Sequence, residues 1–186
     1  MAGTVIGWRA PLRLVATGGA AIYVLVLLVL PLLEPQLDVR SAHPEDYATG
    51  GFGILVNLSY GALSLALFAI ALVLWPCRSW KAVAPLLFVP PAILCAALAV
   101  APIAVARSGT VVFVGILGLA VGPLVNSIAL RDSFGRARGL VVGLGVAVLV
   151  GFIGLAAAPD SVSGAVNRGI DVLAGVWVAT AASIRR

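Results

Sequence analysis

Residues 14–33 form a run of twenty side chains without a single charge, and the pattern recurs along the chain. A helix rises about 1.5 Å per residue and the hydrocarbon core of a bilayer is about 30 Å thick, so roughly twenty consecutive apolar residues span it. Uncharged runs of similar length occupy 53–75, 84–105, 110–130 and 139–158, and a shorter one, 169–184, contains one acid, Asp171. The spacing predicts an all-α, polytopic membrane helix bundle. It has six transmembrane helices in one unit covering residues 1–186, with a long polar loop at 34–52.

Composition agrees. Hydrophobic residues make up 62% of the chain and charged residues 10%, against about 25% charged in soluble domains, and mean hydropathy is +1.15. The net charge of +5 does not point to nucleic acid, because the basic residues form no stripe with interleaved aromatics. They fall in short gaps between apolar runs. Eleven of the twelve are arginine, with Lys81 the exception, and Ala, Val and Gly abound, as in GC-rich bacterial genomes. Basic residues precede the first run (WRAPLR, 8–13), as in a signal peptide. That run exceeds the usual apolar stretch of about 7–15 residues and no A-x-A-like site follows closely, so a retained helix is expected.

Orientation follows from Lys and Arg in short loops. With the N-terminus inside, nine basic residues face the cytoplasm (Arg9, Arg13, Arg78, Lys81, Arg131, Arg136, Arg138, Arg185, Arg186) and three face outward (Arg40, Arg107, Arg168). Both termini are therefore expected to be cytoplasmic, in a bacterial plasma membrane, with the 34–52 loop outside. Gly118-x-x-x-Gly122 and Gly139-x-x-x-Gly143 place small residues one turn apart, suited to close helix approach within the chain or to a dimer face. Pro90-Pro91 is expected to kink the third helix. Cys77 and Cys95 read as ordinary apolar thiols at different depths, neither a disulfide nor a metal motif.

Polar groups inside apolar runs are costly and usually have a reason. Asn57, Tyr60 and Ser64 share one face of the second helix by their spacing. Asn126 and Ser127 lie in the fourth. Asn167, Arg168 and Asp171 open the last. The loop holds the only histidine, His43, beside Glu45 and Asp46. In the expected topology His43, Glu45, Asp46, Asn57, Tyr60, Arg168 and Asp171 gather near one mouth. Asn57, Tyr60, Ser64, Asn167, Arg168 and Asp171 are ligand-binding candidates. Asp171, Glu45, Asp46 and His43 are the catalytic candidates if the chain is an enzyme. The simpler readings are an Arg168–Asp171 ion pair at a helix start, suited to the helix dipole, and an exposed loop histidine.

No Gly-rich phosphate loop, H-E-x-x-H or G-x-S-x-G occurs, and one histidine cannot build a bis-histidine haem site. No cofactor and no metal are expected. A retinal lysine, an arginine-rich voltage sensor and a chain of buried carboxylates are also missing, which disfavours energy-driven transport.

The loop motif HPEDY (43–47), leading through GGFGILVN (50–57) into the second helix, and GAVNRGIDVLAGVWV (164–178) resemble the DUF998 family of small bacterial membrane proteins. In this chain Asn167 stands where an acid would precede Arg168, and the fourth helix lacks a histidine. The resemblance implies the six-helix topology and no catalytic residues.

Two functional readings follow. The first is a non-enzymatic module that binds membrane lipids, another membrane protein or a second copy, or serves as an accessory subunit of a membrane complex. The second is an intramembrane enzyme acting on a lipid or isoprenoid from the outer side, by acid–base chemistry of a carboxylic acid in an apolar pocket. The 34–52 loop exceeds the usual connection of about 4–6 residues. With Pro35 and Pro44 stiffening it and Gly50-Gly51 as a hinge, it is expected to form an ordered cap.

Overall fold

In hydrocarbon every backbone N–H and C=O must find its partner inside the protein, which favours helices wherever an apolar run is long enough. The computed structural model describes residues 8–75, 80–106 and 109–184, all helical or turn, with no strand among them. Cys77, Arg78, Arg107, Arg185 and Arg186 lie outside the described residues. The helices are α1 (Arg9–Leu33), α2 (Gly53–Leu74), α3 (Val89–Val100), α4 (Pro102–Ala106), α5 (Gly109–Ala129), α6 (Arg138–Ala157) and α7 (Asp160–Ser183). Four stretches are long and apolar enough to cross a membrane: Arg9–Leu33, Gly53–Leu74, Val83–Val100 and Phe134–Ala157. Phe113–Ala129 is a shorter apolar helix. Each expected segment is largely helical, the third being interrupted at Ala101.

Neighbouring helices pair in a cycle. α1 packs on α2, α2 on α3, α3 on α5, α5 on α6 and α6 on α7, and α7 closes the cycle against α1. The buried interior includes Tyr23, Leu27, Leu63, Leu67, Ile70 and Trp177, while Leu25, Leu32, Ile54, Leu65 and Ile153 are all more than half exposed. Water-soluble chains rarely expose contiguous apolar surface on this scale, so these outward faces suit lipid. The protein is an all-helical bundle with the surface of a membrane protein.

Three expectations are corrected by the fold. Pro90-Pro91 does not kink a helix. The pair sits in the first turn of α3, where a missing N–H loses nothing. The third segment is instead assembled from a 3₁₀ stretch, Trp80–Phe88, then α3 and α4. At twelve residues α3 alone reaches only about 18 Å. Second, α7 begins at Asp160 just after Pro159, nine residues before the expected start. The first-turn acid is therefore Asp160, and Arg168 and Asp171 lie in the third and fourth turns.

Third, the two glycine pairs behave differently. A Cβ on Gly118 would lie 2.7 Å from Pro91 Cδ and 2.8 Å from the Leu87 carbonyl oxygen, and one on Gly122 would lie 3.0 Å from Phe88 Cε1. These glycines let α5 approach the third segment. A Cβ on Gly139 or Gly143 would meet nothing within 4 Å among the described residues, so no close approach is seen there.

At the end holding Asn126 and Ser127, buried polar groups tie the helices together. Asn126 Nδ2 donates to the carbonyls of Ala84 (2.8 Å) and Gly122 (2.9 Å). Ser127 Oγ lies 2.6 Å from the Pro123 carbonyl and 3.0 Å from that of Val141. Trp177 Nε1 donates to Ser127 Oγ at 2.9 Å and to the Val141 carbonyl at 3.1 Å. Between α5 and α6, Gly135 adopts φ 51°, a left-handed conformation that glycine takes without strain.

Candidate functional site

The 34–52 loop is an ordered cap on the opposite end. It contains a 3₁₀ turn, Pro44–Thr49, which the Asp46 side chain closes by accepting from the His43 N–H at 2.7 Å. The loop is fastened to α7 by four contacts. The Ala165 N–H donates to the Arg40 carbonyl at 2.9 Å. Arg168 Nη1 donates to the Val39 carbonyl at 3.0 Å. His43 sits between Ser163 Oγ (3.3 Å from Nε2) and Asn167 Nδ2 (3.5 Å from Nδ1). His43 is thus half-buried between cap and helix, not an exposed loop side chain. Gly164 permits the contact, because a Cβ there would run into the Ala42 carbonyl oxygen.

The cap is also anchored beneath. Glu34 is only 2% exposed and its Oε1 accepts from the Phe52 N–H at 3.0 Å, joining the end of α1 to the start of α2. Gly50 lies directly against this carboxylate, leaving no space for a side chain.

Arg168 and Asp171 do not form the ion pair their spacing suggests. The Arg168 guanidinium lies 5.4 Å from the centre of the Tyr47 ring, and its Nε and Nη2 are buried without hydrogen-bond partners. Asp171 turns the other way, to the interior, where its carboxyl group lies beside the Tyr23 hydroxyl. Burying an acid in an apolar interior is costly unless it is hydrogen-bonded, and the Tyr23 hydroxyl supplied by α1 is placed to offset part of that cost.

A second tyrosine repeats the arrangement. Tyr60 of α2 lies beside Glu45 of the cap, and the Tyr23 and Tyr60 ring centres are 6.0 Å apart, tilted by 42°. Beside these four residues lies a cavity of about 110 Å³. Its polar end is formed by Tyr23, Glu45, Tyr60, Asn167 and Asp171. Its walls are apolar, from Leu63, Leu94, Cys95, Leu98, Leu119 and Phe152 among others. Ile116, also on the wall, is 38% exposed and Phe152 is half-buried, so the α5–α6 side reaches the outer apolar surface.

Of the expected constellation, the structure brings Glu45, Tyr60 and Asp171 to one cavity, joined by Asn167 from the ligand-binding candidates, while Arg168 is directed to the cap. Asp46 and His43 stay in the framework of the cap. Asn57 and Ser64 separate from Tyr60 and line a shallower groove between α2 and α3, where Ser64 Oγ donates to the Ala92 carbonyl at 2.8 Å. Tyr23 and Cys95 were missed. A lone tyrosine and a lone cysteine in apolar runs carry no spacing signal. No group of three or more metal-binding side chains occurs among the described residues.

Compared with family models, with curated proteins and with solved structures, the chain has no significant match.

Proposed function

We propose that this chain is a non-enzymatic, ligand-binding bundle of a bacterial cytoplasmic membrane, crossing it six times with both termini inside, and that it holds one amphiphilic molecule with the head under the cap. The observation that carries this reading is the cavity itself: hydrogen-bonding groups at one end, apolar walls along the rest, and a side reaching the outer apolar surface. Small-molecule sites commonly combine mostly apolar walls with a few convergent polar groups. A membrane lipid meets both requirements, with its head at Asp171 and its chain passing Leu98 and Phe152.

The test is native mass spectrometry of protein released gently from membranes. The reading predicts a discrete added mass in the parent, and its loss in Leu98→Trp, which fills the cavity. An unladen parent would count against it.

One observation favours a second reading. Two carboxylates, Glu45 and Asp171, share the cavity, as acid–base chemistry on a lipid or isoprenoid would require. A precursor lipid accumulating in a strain without the protein would select this reading.

The kinship with DUF998 is part of the proposal, supported by the way HPEDY and the Asn167–Asp171 stretch meet across the cap and α7. Partner binding is supported by α6, where Gly139 and Gly143 face open space and Leu140, Val146, Val150 and Ile153 are exposed. A second copy or another membrane protein would lie there.

A further inference from the structure

The polar end of the cavity has a one-sided chemistry. A tyrosine hydroxyl has one proton to donate and a carboxylate has none. Tyr23 stands beside Asp171 and Tyr60 beside Glu45, so each hydroxyl has a carboxyl group at hand for its one proton. The Asn167 amide nitrogen is turned to His43. What remains toward the cavity is a set of acceptors: carboxylate lone pairs, phenol oxygens and the Asn167 carbonyl oxygen. A ligand that fits must bring donors.

Charge points the same way. Two carboxylates line the cavity, and the nearest cation, Arg168, is directed to the Val39 carbonyl and the Tyr47 ring. By formal charge Glu45, Asp171 and Arg168 together lack one positive charge. The two adjacent tyrosine rings add faces that attract a cation, and an anionic head would meet two like charges.

We infer that the cavity takes an amphiphile with a protonated amine head, an ammonium group seated between Asp171 and Glu45 and beside the rings of Tyr23 and Tyr60, with its hydrocarbon chain leaving along Leu98 and Phe152. A primary ammonium supplies three donors and the missing charge. The volume of about 110 Å³ accommodates such a head with a few carbons, and the apolar opening takes the rest. This inference rests on the amphiphile-binding reading and specifies its ligand class.

The experiment uses the full chain in a neutral detergent and three probes of equal length: dodecylammonium, dodecanol and laurate. Binding is followed by titration below their micellar concentrations. The parent should bind dodecylammonium at least about tenfold more tightly than dodecanol, the scale set by one charge-assisted hydrogen bond, and should reject laurate. Asp171→Asn and Glu45→Gln should each erase most of that preference while dodecanol binding stays. Equal binding of all three probes, abolished by Leu98→Trp, would leave the amphiphile reading standing and overturn the ammonium. Preference for laurate would overturn it too. Failure of every probe to bind the folded parent would overturn both. The comparison among probes needs only the parent, so a variant that fails to fold leaves the test intact.

Discussion

The rings of Tyr23 and Tyr60 lie side by side, 6.0 Å between centres, and they neighbour different acids, Asp171 of α7 and Glu45 of the cap. Four parts of the chain, α1, α2, the loop and α7, thus converge on one polar end of a cavity that is otherwise apolar. The predictions below separate the features that build this arrangement from those that use it.

Tyr23→Phe keeps the ring and removes the donor to Asp171. Leaving a buried acceptor unsatisfied costs about 1–3 kcal/mol, whereas replacing both partners with apolar groups can be nearly neutral. Unfolding in detergent should show Tyr23→Phe destabilised, and the Tyr23→Phe/Asp171→Leu pair far less so than the sum of the single changes. Additive effects would mean that the two side chains do not act as a pair.

Gly118→Leu should lower folded yield and thermal stability, because even a Cβ there lies 2.8 Å from the Leu87 carbonyl oxygen; overpacking of this kind costs about 1–3 kcal/mol. Gly143→Leu should be tolerated, since nothing lies within 4 Å of its Cβ position. Size-exclusion yield and melting temperature distinguish the two, and equal damage by both would contradict the packing.

Arg168→Ala removes the bond to the Val39 carbonyl and the cation over Tyr47. Hydrogen exchange of peptides covering 34–52 should quicken in this variant. It should not change in Arg136→Ala, an exposed position in the turn between α5 and α6. Identical exchange in parent and both variants would show that Arg168 does not hold the cap.

Topology has its own test. In a variant lacking Cys77 and Cys95, a cysteine at Gln36, exposed in the cap, should react with an impermeant reagent added to intact cells. One at Arg136 should react only after the membrane is opened. The reverse pattern would invert the orientation.

Much of this architecture was legible in the sequence, and the failures have physical causes. Long apolar runs locate helices, and each of the six expected segments is largely helical, although only four stretches are long and apolar enough to cross a bilayer. The cap was legible from its length and its mixed charges. Spacing along one helix, however, tells which side chains share a face and says nothing about what they meet. Asp171 meets Tyr23, 148 positions away in sequence, only because α7 closes on α1. The Arg168–Asp171 pair failed for the same reason, since partners from other elements, the Val39 carbonyl and the Tyr23 hydroxyl, outweighed a neighbour one turn off. Gly118 and Gly143 share one sequence motif, yet only the first faces another segment.

The central claim is that the cavity beside Asp171 holds an amphiphile, and an experimental structure in native lipid tests it most directly. The account predicts elongated density running from hydrogen-bonding distance of Asp171 or Glu45, past Leu98, to the α5–α6 side. A collapsed cavity, with Leu98 and Phe152 in contact and Asp171 bonded to Tyr23 alone, would contradict it.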